Sequence, residues 1–330
     1  MTAPTPTATH RMTSRQGDTS RDSGTIAVLM AIAMVPIVGL FAVVVDAGRV
    51  TAERQQLQTA VESAALAGAI DRRAGLSACA TATTHINNSV DNTPTVTCST
   101  TGTATAGTVT VSASTTSALS LGALFGRSSA TIATTAGVRT GGATAVAGVR
   151  PLSICAEHPA LQAWIASGFT DTTTYTVGIE SDGATCAGDT PGNWGVLDLD
   201  GGSNSTAITQ EWLDNGYDGE LNVPSLIDGD PGIPSPAFDL SNIIGQPIVV
   251  PIFSNATDTG QNAQFSIVGV VGIVIDDATL NGPASGRHVR LRFTTDTGTA
   301  TPTGCCTTGT QIDAGVTAAR LCNLDGIGDC

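Results

Sequence analysis

Cysteines and paired acids are the residues of this chain whose types and spacing could do chemistry. The eight cysteines, Cys79, Cys98, Cys155, Cys186, Cys305, Cys306, Cys322 and Cys330, all lie beyond an uncharged run at residues 26–45. None is spaced as CxxC and the four histidines are scattered, so zinc ligation lacks its usual frame. An even count fits disulfides in an oxidising compartment instead. Pairing does not follow from the count, because eight cysteines allow roughly a hundred schemes. Joining nearest neighbours gives Cys79 with Cys98, Cys155 with Cys186, and two bridges among the last four. In that scheme vicinal Cys305 and Cys306 reach Cys322 and Cys330 more easily than each other. Four acids, Asp198 and Asp200 before GGSNS and Asp325 and Asp329 in NLDGIGD, sit in oxygen-rich loops of the kind calcium favours. The competing interpretation is a set of solvated Asp-Gly turns. A metal-ion-dependent adhesion motif is rejected, since it requires Asp-x-Ser-x-Ser and Asp200 is followed at those positions by Gly202 and Asn204.

Other chemistry is excluded more directly. All fourteen basic residues are arginine, so a Walker phosphate loop, a Schiff-base lysine and a Ser-Lys dyad are absent. No GxSxG elbow, HExxH helix or GxGxxG fingerprint occurs. His158, three residues after Cys155, reads as a surface histidine beside a disulfide and not as a ligand. The net charge of −14 repels phosphate backbones, and no basic patch with interleaved aromatics appears, which argues against nucleic-acid binding. The expectation is a protein without catalysis and without a cofactor, calcium apart.

The elements that must position these residues begin with Ile26–Val45, IAVLMAIAMVPIVGLFAVVV. At about 1.5 Å per residue it covers roughly 30 Å as a helix, the thickness of a bilayer's hydrocarbon core. A secretory signal cleaved after Val45-Asp46-Ala47 is the rival, but such apolar regions are usually only about 7–15 residues long. Pro36 is tolerated in a span. The lipid bilayer is therefore the first expected partner. Residues 1–24, rich in Thr, Ser and Pro, predict a disordered cytoplasmic tail. Beyond Val45 nothing breaks the helix. Val50, Leu57, Val61, Ala64 and Leu66 form an apolar stripe, so span and amphipathic helix together predict one element over residues 25–72, about 65–70 Å long. That stripe packs either on a partner helix or on the chain's own domain.

The same residues carry a resemblance. A Gly-led apolar helix with an inner proline (Pro36) leads to Asp46-x-Gly48-Arg49, then Leu57-Gln58-x-Ala60, then Ala65-Leu66-Ala67-Gly68. In order and spacing this resembles the N-terminal domain of the Tad (tight adherence) pilus-assembly proteins of TadG-like and TadE-like type. The resemblance covers about 45 residues and continues more weakly into residues 109–139, GNWGVLDLDG and IIGQPIVVPIF. It implies a single-pass protein of the bacterial cell membrane, N-terminus cytoplasmic, whose helix meets other pilus-assembly or pilin subunits while the bulk of the chain lies outside. Prepilin-like relatives place Glu five residues after the processed Gly, whereas Leu29 stands five after Gly24 here. An anchor with a pilin-like helix is implied rather than a fibre-forming pilin.

Beyond the helix the expected fold is α+β: a small membrane-proximal domain over residues 73–148 and a β-rich, disulfide-stapled distal domain over residues 149–330. Thr/Ser alternation begins at Ala74. Strands are expected at Thr108–Ala113 and Ala130–Val138, with ALSLGALF (Ala118–Phe125) a short apolar helix or loop stopped by Gly126. The tract Thr100–Thr108 reads alternatively as flexible glycosylated linker, and Gly141–Pro151 as a hinge. Distal strands are expected at Thr173–Ile179, Trp194–Leu199, Pro247–Phe253, Phe265–Ile275 and His288–Phe293, and helices at Pro159–Ser167 and Ala207–Asp214. SIVGVVGIVI is too short to span and predicts a central strand. A tethered or secreted adhesin or carbohydrate-binding β-domain is the second functional class compatible with this pattern.

Overall fold

The computed structural model describes residues 19–91, 93–103, 105–179, 187–188, 194–202, 205–231, 238–257, 263–283, 286–306 and 311–322. Residues 1–18 of the tail expected over residues 1–24, and Cys186, Cys330, Asp325 and Asp329, lie outside the described residues; the rest of that tail, from Thr19, is not disordered but begins the first helix.

Helix α1 runs unbroken over Thr19–Arg73, with Pro36 inside it. It is followed by α2 (Ala78–Ser89), β1 (Thr95–Gly102) and β2 (Gly107–Ala118), then a four-residue 3-10 turn (Gly122–Phe125) and the long strand β3 (Ser129–Ala147). The chain continues with β4 (Leu152–Cys155), α3 (Pro159–Ala166), β5 (Tyr175–Gly178), β6 (Ala187–Gly188), β7 (Trp194–Leu197), α4 (Thr206–Asn215), β8 (Glu220–Asn222) and β9 (Ser225–Pro231). The last strands are β10 (Pro247–Thr257), β11 (Ala263–Thr279), β12 (His288–Thr294), β13 (Thr301–Cys305), β14 (Ile312–Ala314) and β15 (Thr317–Cys322). A long apolar helix followed by antiparallel sheets is the α+β architecture expected from sequence.

The described residues fall into two compact units. One comprises residues 19–55 with Thr116–Ile132; the other comprises Gln56–Thr115 with residues 133–322. In the larger unit β1 and β2 pair antiparallel, Thr95 opposite Ser114 through Gly102 opposite Gly107. The Thr-rich tract is thus a hairpin and not a linker. β3 is the backbone of this sheet, taking β2, β15, β13 and β8 as partners along its length. Gly141–Ala147, expected as a hinge, belongs to that strand: its glycines and alanines let neighbouring chains close in. A Cβ on Gly141 would lie 2.5 Å from the Cβ of Cys306.

In the second sheet β4 pairs with β7, β7 with β9, β9 with β11, β11 with β10, and β10 returns to β4, so five strands close a circuit. SIVGVVGIVI lies within β11, which also pairs with β12 and β14 and is central as expected. Its two faces feed two hydrophobic clusters, one with Val271, Ile273 and Ile275 packed with Trp164, the other with Phe265, Ile267 and Val270 around Phe253. The Phe253 and Phe265 rings meet edge to face at 5.1 Å. Trp164 is buried on α3 as expected, its indole N–H donating to the Ala314 carbonyl at 3.0 Å.

One helix was not expected. Thr/Ser alternation after Ala74 suggested extended chain, yet α2 is helical. Ser77 caps it, accepting from the Ala80 N–H, and Ala78, Ala82 and Ile86 recur at a spacing of four to bury one face. The threonines occupy the other faces.

Candidate functional site

The motif residues of α1 divide between the two units, and the structure gives them different work. In the larger unit Leu57, Ala60, Val61, Ala64, Ala65 and Ala69 are all at most 4% exposed. They face the chain's own α2 and sheet. Gln58 donates to Glu62 at 2.6 Å, and its carbonyl oxygen accepts from the Thr134 hydroxyl. Gly68 has the clearest reason to be glycine: a Cβ there would stand 2.7 Å from the Ala78 carbonyl oxygen of α2. Leu66 and Ala67 are half-buried. Of the two roles sequence left open for this stripe, packing on its own domain is the one the structure shows.

The α1 C-terminus is pinned to the same unit. Arg72 donates from Nη1 to the Thr101 carbonyl (2.9 Å) and from Nη2 to the Gly102 carbonyl (2.7 Å). Asp71 accepts from the Thr81 hydroxyl at 2.5 Å. Arg73 is drawn below its ordinary pKa by burial, and Asp313, near enough to oppose that shift, is itself pushed up by burial.

In the smaller unit the motif reads differently. Ile26–Val45 is exposed throughout except at Ala42 and Gly39; its large apolar side chains are 49% to 73% exposed. The helix is long and apolar enough to cross a membrane. Asp46, immediately after the run, is buried. Its carboxylate accepts three backbone N–H groups from the turn after β2: Ser120 to Oδ1 at 3.1 Å, and Leu121 and Gly122 to Oδ2 at 3.0 and 2.6 Å. A carboxylate suits this place because the first N–H groups of a 3-10 turn have no partner within it and carry partial positive charge. One turn on, Arg49 Nε donates to Glu53 Oε1 at 2.9 Å. The Ser117 hydroxyl beside Glu53, and then Arg49, hold the Glu53 carboxyl below the usual range. Gly48 has open space where a Cβ would go, and nothing among the described residues explains the glycine.

Residues 24–72 match the model of the Tad family, described as "Putative Flp pilus-assembly TadE/G-like". This segment, and not the rest of the chain, is similar to the Tad family. Its limits coincide with α1 from the start of the apolar run to the arginines that close it. No curated protein matches the chain, and no solved structure does. The match supports a role in Flp pilus assembly, and the remaining residues are described by their own structure.

Among the cysteines, Cys79 on α2 is bonded to Cys98 on β1, with Cα atoms 5.5 Å apart. Cys155 and Cys322 are disulfide-bonded as well. Cys305 is joined to Cys306, contrary to the expectation that each reaches Cys322 or Cys330. Strand register explains why Cys322 is out of reach. Cys305 lies opposite Ala143 and Cys322 opposite Gly137 on β3, six residues apart, or about 20 Å along a strand. A disulfide tolerates only about 7 Å between Cα atoms.

The Asp198–Asp200 loop is less complete. Asp198 is buried with an unpartnered Oδ1, and burial together with the nearby Asp200 carboxyl raises its pKa. Asp200 Oδ1 accepts from the Gly202 N–H at 2.8 Å, an ordinary turn bond. Calcium takes about six to eight oxygens, and among the described residues no third carboxylate, histidine or cysteine joins this pair. His158 is not a surface residue: it is buried and caps α3, its Nδ1 accepting from the Ala160 N–H at 3.2 Å. The sequence carried the signal, since Pro159 opens the expected helix and a proline in the first helical position makes its predecessor, His158, the cap.

Proposed function

We propose that this protein is a single-pass, membrane-anchored component of Flp-type pilus assembly. It acts structurally and without catalysis, with its N-terminus cytoplasmic and everything after Val45 outside the cytoplasm. The observation that carries this reading is that the Tad-matched helix is exposed along its apolar run, apart from Gly39 and Ala42, and changes at Asp46 to a partnered, polar pattern. Because Leu57–Ala69 is occupied by the chain's own domain, the surface left for pilus subunits is the α1 face before Gln56. The disulfide between Cys79 and Cys98 supports the orientation, since such bonds persist outside the reducing cytoplasm.

The test is the fate of the chain in cells that assemble Flp pili. The mature protein is expected in the membrane pellet after alkaline extraction, with residues after Val45 cleaved by protease in spheroplasts and a start upstream of Gly48. A soluble protein starting at Gly48 would overturn the anchor; protection of the larger unit from protease would overturn the orientation.

A further inference from the structure

The smaller unit contains a groove of about 450 Å³, between the Ala42–Val50 stretch of α1 and the turn Leu119–Arg127. That is within the size of ordinary small-molecule clefts, about 300–1,000 Å³. Its walls are almost wholly apolar: Ala42, Val43 and Val50 on the helix, Leu119 and Leu121 on the turn. Asp46 and the exposed Arg127 are the charged residues that also line it. Two facts set its depth along the helix. Asp46, the first polar residue after the apolar run, grips the turn through three backbone N–H groups, so the turn stays at that level. Ala42, at 3% the one fully buried residue of the run, lies four residues further in, about 6 Å along the axis. A turn that reaches this far down a membrane-spanning helix lies in the headgroup layer.

We propose that the Leu119–Arg127 turn is a second, interfacial membrane contact, and that the groove behind it is filled by a phospholipid acyl chain of the same leaflet, with Arg127 at the depth of the phosphates. The inference rests on the membrane anchoring proposed above. Lipid is the occupant the observations favour because the groove is continuous with the apolar run through Ala42 and Val43. Arg127, exposed and lining the same groove, can pair with a lipid phosphate, and apolar groups beside an arginine are what interfacial segments present to a membrane surface.

The test uses the full chain in vesicles of phosphatidylcholine and phosphatidylglycerol carrying bromine on the acyl chains, either near the headgroup or near the bilayer centre. Leu121→Trp and, at an exposed position in case the first misfolds, Ala123→Trp are compared with the unsubstituted chain, whose own tryptophans supply a constant background. Val35→Trp reports the middle of the run and Leu226→Trp a strand position in the larger unit. The added emission at 121 or 123 is expected to fall by about twofold or more with shallow bromine and less with deep bromine, as for a group at the acyl boundary. Val35→Trp should show the reverse order and Leu226→Trp no quenching. Quenching at 35 with none at 121 or 123 overturns this inference and leaves the anchor intact; no quenching at 35 overturns the anchor itself. Loop tryptophans that stay unquenched but shift blue with protein concentration assign the groove to a second copy and overturn the lipid.

Discussion

Replacing Asp46 with alanine removes the side-chain acceptor of three consecutive backbone N–H groups. A hydrogen bond to a charged group contributes about 1.5–3 kcal/mol net, which summed naively gives about 4.5–9. The sum overstates the loss, because bonds to one carboxylate are not additive and water reaches part of the turn once it loosens. The turn also keeps bonds of its own, Leu119 N–H to Ser128 O and Arg127 N–H to Gly122 O. About 3 kcal/mol is the fitting figure, which is roughly a hundredfold in a local opening equilibrium at about 1.4 kcal/mol per decade. Hydrogen exchange on the full chain in detergent or nanodiscs reads this directly. Protection of the Ser120, Leu121 and Gly122 amides should drop about a hundredfold in Asp46→Ala. It should drop less in Asp46→Asn, which keeps one acceptor oxygen, and α4 amides should be unchanged in both. Unaltered protection at residues 120–122 in Asp46→Ala would refute the assignment of this carboxylate as the clamp on the turn.

Other changes follow from the same geometry. Gly68→Ala drives a Cβ into the Ala78 carbonyl and should lower stability to denaturant by about 1–3 kcal/mol, whereas Gly48→Ala, with open space around it, should be close to neutral. Replacing both Cys79 and Cys98 with serine opens a loop with a sequence separation of 19, which should cost about 3 kcal/mol in urea unfolding and abolish the difference between oxidised and reduced protein in that region. Glu53 has a folded pKa below its ordinary value of 4.5, so its contribution is complete above that value and is lost as pH falls through the lowered one. A melting-temperature series between about pH 3 and pH 6 should therefore show a shallower acid slope for Glu53→Gln than for the natural chain. Asp198 has the opposite sign: its raised pKa means the ionised form strains the fold at neutral pH and the strain is relieved on acidification. Asp198→Asn should melt higher than the natural chain at pH 7, with the gap closing towards pH 4; a lower melting temperature at pH 7 would contradict this.

Sequence reading reached the long helix and the distal strands because both depend on pattern over many residues. Twenty uncharged residues cannot be hidden, and β10, β11 and β12 are dense in Val, Ile and Phe with turn residues between them. It missed α2 because threonines interrupt that stretch, and only Ala78, Ala82 and Ile86, three small signals, reveal the helical period. Gly141–Ala147 looked like a hinge because small residues suit both a flexible linker and a crowded strand; burial against Cys306 decides between them, and burial is a tertiary property. The partnership of Asp46 with residues 120–122, 74 to 76 positions away, left no local trace. The joining of Cys305 to Cys306 likewise depends on which residues of β3 face which strand. Asp46 and Gly68 were legible as motif positions, but what each one touches came only with the fold.

The proposal that α1 before Gln56 is the surface for pilus subunits is tested most directly by a photoreactive amino acid placed in living, piliated cells. It would be introduced one position at a time at Val35, Val44, Thr51 and Gln55, with Ala64 as a buried control. Capture of a pilus-assembly or pilin protein from the exposed positions, periodic around the helix and absent at Ala64, is the predicted result. Capture of none of these proteins from any exposed position, in cells that make pili and hold the chain in the membrane, would contradict it.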